Sequence, residues 1–282
     1  MSDELVTWAN LADGSAQIVF DETGRPVNVL RAEVFSAVSA ALDGIARLDT
    51  PPTRVVLRSG KPGTFIAGAD LRVIRDAPDD ELDALLKQGQ DVLDRIEALP
   101  MPTAALIGGA ALGGGLEVAL ACDARVVADG DKPILGLPEI GLGLVPGWGG
   151  TVRLVERLGV ERALPWLLSG NIMTPAQAQE LGLAEAVVPE AEMSAAAKSV
   201  EPAPAPAAVD WLPVLEEARD TLDAIEPIKQ RAARAMLDTV EAGLRDGRQA
   251  GLDMERRSLV ALRNTDEGRE LIGRFFSRKK KA

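Results

Sequence analysis

The chain has 282 residues, 46% of them hydrophobic, enough to bury a substantial core in one large domain or in a domain with a helical appendage, so disorder of the whole chain is excluded. Against 43 acidic residues stand 31 basic ones, a net charge of -12 that disfavours nucleic acid as a partner. Histidine and tyrosine are absent, which removes Ser-His-Asp, Cys-His and histidine-ligated metal chemistry and leaves carboxylates, backbone amides, Lys and Arg.

The single Cys122 cannot form an intramolecular disulfide, no leader-like segment opens the sequence, and no uninterrupted apolar run reaches membrane-spanning length. A cytoplasmic protein without a membrane partner is the expectation. The one basic cluster, Arg278 to Lys281, reads as a solvated terminus.

Val6 to Leu11 and Ala16 to Phe20 predict two strands joined through Asp13-Gly14 as a hairpin. A helix follows over about 31–48, with Val34, Val38, Leu42 and Ile45 on one face, and Pro51-Pro52 ends it. Arg54 to Leu57 reads as a strand feeding the loop Ser59 to Ala69. In Thr64-Phe65-Ile66-Ala67-Gly68-Ala69-Asp70, small residues let main-chain amides approach a ligand and Asp70 can cap the next helix; an ordinary strand-to-helix turn reads the same way. From Asp79 a longer helix carries Leu82, Leu85, Leu86, Leu93 and Ile96 until Pro100.

Thr103 to Ile107 reads as a buried strand, and glycines then precede a helix over Leu116 to Ala121. From Met101 through Cys122 the only charged residue is Glu117, and from Pro133 through Val152 the only one is Glu139. Runs this apolar should be buried, and burial without a neighbouring cation raises a carboxylate's pKa towards acid/base chemistry near neutrality. Gly113, Gly114 and Gly115 stand before Glu117, where a helix start presents unpaired N–H groups and the positive end of its dipole. Two lone carboxylates around one glycine-rich turn make a candidate active site.

Ala124 to Ala128 and Pro133 to Leu135 predict short strands, and Gly136 to Gly150 a glycine- and proline-rich loop. Helices are expected over about 150–158, 161–168 and 175–181, with a strand at Ala186 to Val188. Pro202, Pro204 and Pro206 among alanines make a stiff linker, so the expected division is 1–200 as the core, 201–208 as the linker and 209–282 as a helical region. That region reads as helices over about 211–223, 227–242, 248–262 and 265–276.

The segments Phe65-Ile66-Ala67-Gly68-Ala69-Asp70-Leu71, Ala111-Leu112-Gly113-Gly114-Gly115-Leu116-Glu117, Leu137-Pro138-Glu139-Ile140-Gly141-Leu142-Gly143, Pro146-Gly147-Trp148-Gly149-Gly150-Thr151 and Thr174-Pro175-Ala176-Gln177-Ala178 resemble, in order and spacing, the enoyl-CoA hydratase/isomerase (crotonase) superfamily. The resemblance covers essentially the whole chain and looks like the hydratase half of the multifunctional fatty-acid-oxidation α subunit, with no counterpart of its dehydrogenase half. It implies an α/β fold, a spiral of ββα units with C-terminal helices that mediate a homotrimer or a dimer of trimers.

The same resemblance implies an acyl-CoA thioester substrate, no cofactor beyond the coenzyme A that the substrate carries, no metal, and 3-hydroxyacyl-CoA dehydrogenase as a functional partner. By motif position the thioester oxygen lies between the backbone N–H groups of Ala69 and Gly114, Glu117 activates water and Glu139 delivers a proton to the α-carbon, the two glutamates being able to share one proton and one water. Ala67, Gly68, Asp70 and Gly113 belong to the substrate-binding motifs. Arg72 stands where relatives often carry a base near the CoA phosphates, or is a solvated helix charge; Trp148 walls the acyl pocket or fills core. The expected reaction is hydration of trans-2-enoyl-CoA to 3-hydroxyacyl-CoA in fatty-acid β-oxidation or related metabolism. The alternatives are Δ3,Δ2-enoyl-CoA isomerisation and a non-catalytic acyl-CoA-binding scaffold.

Overall fold

The computed structural model describes residues 5–132 and 134–279. Side chains of the basic run Arg278 to Lys281, and Pro133 of one expected strand, lie outside the described residues.

In chain order, β1 (Val6–Asn10) and β2 (Ala16–Phe20) form the expected antiparallel hairpin, whose turn is held where Asp13 Oδ1 accepts the Ser15 N–H at 3.1 Å. Then come α1 (Ala32–Ala46), β3 (Val55–Ser59), β4 (Thr64–Ile66), α2 (Leu71–Asp76) and α3 (Asp79–Glu97). The pattern repeats as β5 (Thr103–Ile107), β6 (Ala110–Leu112) and α4 (Gly114–Leu120), and again as β7 (Ala124–Ala128) and β8 (Leu135–Gly136). A 3-10 turn (Pro138–Leu142) leads to α5 (Gly150–Leu158), α6 (Val160–Ser169), α7 (Pro175–Leu181), β9 (Ala186–Val188) and the short α8 (Met193–Ala196). The C-terminal helices are α9 (Trp211–Asp220), α10 (Pro227–Asp246), α11 (Arg248–Arg263) and α12 (Asp266–Lys279).

From β3 on, alternate strands enter two sheets. The larger runs β1-β2-β3-β5-β7-β9, parallel after the first pair, and the smaller runs β4-β6-β8. From β3 on, each turn of the chain adds one strand to each sheet, with helices after β4 and β6 and a 3-10 turn after β8, the ββα spiral that the resemblance implied. Sequence patterning predicted neither β4 nor β6: three residues flanked by glycines are too short to show alternation. In β5 and β7 every residue is buried, as parallel strands covered on both faces require. Ala104, Leu106, Val126 and Ala128 pack on one face against Met193 and Ala197.

The chain divides into two compact units that are discontinuous in sequence. The first comprises the segment through Ala69, Asp91–Leu135 and Ile172–Pro204; the second comprises Asp70–Gln90, Gly136–Asn171 and Ala205–Ala282. In the second, α10 packs on α11 through Gly243 and Gly251, where a Cβ on Gly251 would lie 2.9 Å from the Gly243 Cα. Ala232, Met236 and Val240 of α10, Leu252, Leu259 and Leu262 of α11, and Leu271 and Ile272 of α12 are buried, so the apolar faces of these helices form a core. Thr265 Oγ1 accepts the Gly268 N–H at 3.1 Å at the start of α12, and the Arg75 guanidinium lies 4.5 Å over the Phe276 ring. Among the described residues no helix is long and apolar enough to cross a membrane.

Candidate active site

In the first unit the site is built almost wholly from backbone. Strand β4 pairs with β6 on one edge, Ile66 opposite Ala111. Past its end the chain turns its other edge to Leu30, whose N–H donates to Gly68 O at 2.9 Å and which forms an isolated parallel bridge with Ala69. In a parallel pair the residue between the two bonded groups directs its own N–H to the opposite edge. The Ala69 N–H therefore points away from Leu30, on the side where β6 leads into α4.

Gly68 has φ +105°, and a Cβ there would lie 3.1 Å from Leu112 O, so the Ala67-Gly68-Ala69 loop rests on the end of β6. At Gly113, φ +52° turns the chain out of β6 into α4. Gly114 is the first residue of that helix, and its N–H has no partner within the helix. A Cβ on Gly115 would stand 2.0 Å from Ile66 O, so the first turn of α4 lies directly on the β4 backbone and only glycine fits. The structure thus brings together Ala67, Gly68, Ala69, Gly113 and Gly114, with N–H donors and no bulky side chain among them.

Glu117 lies three residues beyond Gly114 and so on the same face of α4. It is 1% exposed in a helix whose every residue is buried. Asn28, also buried, organises the loop from the other side: its amide nitrogen donates to Phe20 O and Phe65 O, its Oδ1 accepts the Glu22 N–H, and its own carbonyl accepts the Ala67 N–H at 2.9 Å. At the far end of α4, Arg125 and Glu185 form a buried ion pair. Sequence reading missed all three residues. For Arg125 a signal existed, a single charge inside the otherwise apolar strand Ala124 to Ala128.

The second unit carries Asp70, Arg72, Glu139 and Trp148. Asp70 caps α2, its Oδ1 accepting the Arg72 N–H at 3.1 Å, while Arg72 itself is exposed. Glu139 is half-buried in the 3-10 turn, on which α6, α10 and α12 all pack. Gly143 closes that turn with φ +68°, and a Cβ there would lie 3.1 Å from Leu271 Cδ1 and 3.2 Å from the Gly268 Cα. Trp148 is 2% exposed, and its carbonyl accepts the Arg153 Nη1–H at 2.6 Å. Glu255, fully buried on α11, accepts the N–H groups of Gly149 and Thr151 at 2.5 and 2.8 Å, tying the glycine turn before α5 to a C-terminal helix. Its place between Leu252 and Leu259 on the apolar face of α11 was the sequence signal for burial.

Cys122 is buried behind α4, and burial pushes its thiol pKa up to about 12, which leaves no thiolate near neutrality.

The fold and these motifs have relatives. The family described as enoyl-CoA hydratase/isomerase matches residues 13–203. The fatty acid oxidation complex subunit alpha of Idiomarina loihiensis is 38% identical over 294 aligned positions, covering 98% of this chain and 41% of that protein. This chain therefore spans less than half the length of that relative. Among solved structures, an enoyl-CoA hydratase from Bacillus anthracis is 26% identical with a TM-score of 0.63, covering 97% of this chain and 96% of the other. Human mitochondrial Δ3,Δ2-enoyl-CoA isomerase is 25% identical with a TM-score of 0.72, covering 98% of each chain. The ββα spiral, the glycine-built helix start and the match across residues 13–203 lead to one conclusion: this chain belongs to the enoyl-CoA hydratase/isomerase family.

Proposed function

We propose that the chain is an enoyl-CoA hydratase, adding water across the 2,3 double bond of trans-2-enoyl-CoA to give 3-hydroxyacyl-CoA. The observation that carries this reading is a buried Glu117 on the same face of α4 as the Gly114 N–H, with the Ala69 N–H directed to that side. The thioester oxygen accepts both N–H groups, and the negative charge that forms on it as the enolate develops is stabilised there. Removing one donor from such a hole costs about 10²- to 10³-fold in rate. Glu117 takes a proton from water as the oxygen bonds to the β-carbon, and the enolate collapses as Glu139 protonates the α-carbon. Coenzyme A arrives as part of the substrate and no separate cofactor enters.

Arg72, exposed at the start of α2, is proposed to meet the CoA phosphates, and Trp148 to wall the acyl pocket. The relative's name supports fatty acid oxidation as the pathway; 3-hydroxyacyl-CoA dehydrogenase as a functional partner and a trimer contact through the C-terminal helices are proposed from the sequence resemblance alone.

Loss of the conjugated-thioester absorbance on adding crotonyl-CoA or longer enoyl-CoA tests the reading; no loss at any chain length overturns it. The likeness to the human isomerase supports a second reading, Δ3,Δ2-isomerisation, which one carboxylate can perform. Product analysis with a 3-enoyl-CoA separates the two, and the presence of both Glu117 and Glu139 favours hydration.

A further inference from the structure

Helix α4 has only seven residues, too few to be stable by itself, yet under the proposed function its position sets two groups at once, the Gly114 N–H and the Glu117 carboxylate. Its N-terminal end cannot be tied down by a capping side chain without blocking the site: Gly113 makes no side-chain cap, and the N–H groups there must stay open to the substrate. Packing of Gly115 on the β4 backbone seats that end, and a hydrogen-bonded side-chain restraint is left to the other end.

Arg125 supplies it. Its side chain is the largest of those fully buried, and its guanidinium is turned back under the C-terminus of α4. Nη1–H donates to Cys122 O at 2.8 Å and to Ala119 O at 3.4 Å, and Nη2–H to Asp123 O at 3.3 Å. Ala119 O, in the last turn of α4, also accepts the Cys122 N–H at 3.2 Å, and Cys122 and Asp123 lie just past the C-cap Ala121, where a cation opposes the negative end of the dipole. The guanidinium is fixed in turn from the segment between α7 and β9. Nε–H donates to Leu183 O at 2.6 Å, Nη2–H pairs with Glu185 Oε1, and Glu185 Oε2 accepts the Arg125 backbone N–H at 2.6 Å. Both side chains are shut off from water, 0% and 4% exposed.

A buried ion pair of this kind adds little net stability, since desolvation offsets most of the attraction, and well-packed apolar residues serve as well or better for stability alone. What the pair does provide is direction: a planar fork with several carbonyls in fixed places admits one placement of the helix end. We propose that Arg125, held by Glu185, is a positioning residue for the reaction, locking α4 from behind so that Gly114 and Glu117 keep their alignment on the thioester. This rests on the proposed acyl-CoA chemistry of the site. Displacing a reacting group by about 1 Å can cost about 10²-fold in rate.

The test replaces the pair by apolar side chains of similar length, Arg125→Met/Glu185→Met, so that burial is kept and the fork is lost. Two readouts are taken per folded site, with sites counted by calorimetric titration of butyryl-CoA. The first is steady-state hydration of crotonyl-CoA, where kcat is expected to fall about 10- to 100-fold with KM within about threefold. The second is the isotope-edited infrared C=O stretch of bound 1-13C-butyryl-CoA, a saturated thioester that cannot react. In the unmutated protein it is lowered by the two N–H donors, and in the double variant it moves back towards its value in water. A purely structural role would lower the thermal midpoint or the number of sites and leave kcat per site and the carbonyl frequency unchanged, which overturns the proposal. Absence of hydration by the unmutated protein defeats the proposed function alone, because the infrared comparison still decides the role of Arg125. An unmutated protein that binds butyryl-CoA without lowering the stretch defeats the inference.

Discussion

The α4 region and the Glu139 turn present a carboxylate each, by different means. Around α4 the placement is made by backbone lying on backbone: Gly115 against Ile66 O, Gly68 against Leu112 O, and a helix end seized by Arg125. Around Glu139 side-chain packing takes a larger part, with Leu271 Cδ1 and the Gly268 backbone closing on Gly143 and α6 and α10 packed on the same turn. A site made of main chain tolerates no added atom and is indifferent to which apolar residue lies beyond. A site held by packing tolerates exchange of equal volume and suffers from loss of volume.

The largest effect should come from the two carboxylates of the proposed mechanism. Glu117→Gln is expected to lower kcat by about 10²- to 10⁴-fold while butyryl-CoA binding stays near that of the unmutated protein. Glu139→Gln should behave alike, and unchanged turnover in either variant removes that residue from the mechanism. Next, Gly115→Ala places a Cβ against a carbonyl oxygen that cannot move without taking β4 with it, so a loss of about 3 kcal/mol is expected, the upper end of overpacking. Denaturant unfolding measures it, and an alanine variant as stable as the parent contradicts the close approach.

In the Glu139 region the corresponding break is Leu271→Ala, expected to cost about 2–3 kcal/mol, whereas Leu271→Met should cost under about 1.5 kcal/mol because volume is kept. Equal losses for the two substitutions would show that the turn does not depend on packing volume. The smallest effect concerns Cys122. With its thiol pKa pushed up to about 12 by burial, it should stay unreactive to a thiol-disulfide reagent near pH 7 in the folded protein and react at once in denaturant, with turnover unaffected by the reagent under native conditions. Rapid native labelling would place the thiol at the surface.

Much of the fold was legible in the residues. The periodicity of Val34, Val38, Leu42 and Ile45 gave α1, and the four C-terminal helices were read close to their observed bounds. Strands β4 and β6 were not legible, because three residues are too few to carry a period; they exist because neighbouring segments pair with them. Within the site, the lone charges at 117 and 139 stood out against apolar runs, and Gly113 to Gly115 marked a place where the backbone must come close. Asn28 and Glu185 escaped notice because nothing around them in sequence marks their burial, whereas Arg125 and Glu255 stood among apolar residues that signalled burial but not the distant partners that satisfy them.

By itself, then, the sequence determined the periodic elements, the glycines that permit close approach, and the two carboxylates isolated from other charge, since each of these is a local property of residue type and spacing. Only the tertiary structure decided that Gly115 lies on β4, that the Ala69 N–H turns to the side where α4 begins, and that Arg125 reaches the carbonyls at that helix's end. Each of those depends on partners brought together by the pairing of parallel strands, and local sequence holds no record of where a hydrogen-bond partner will arrive from.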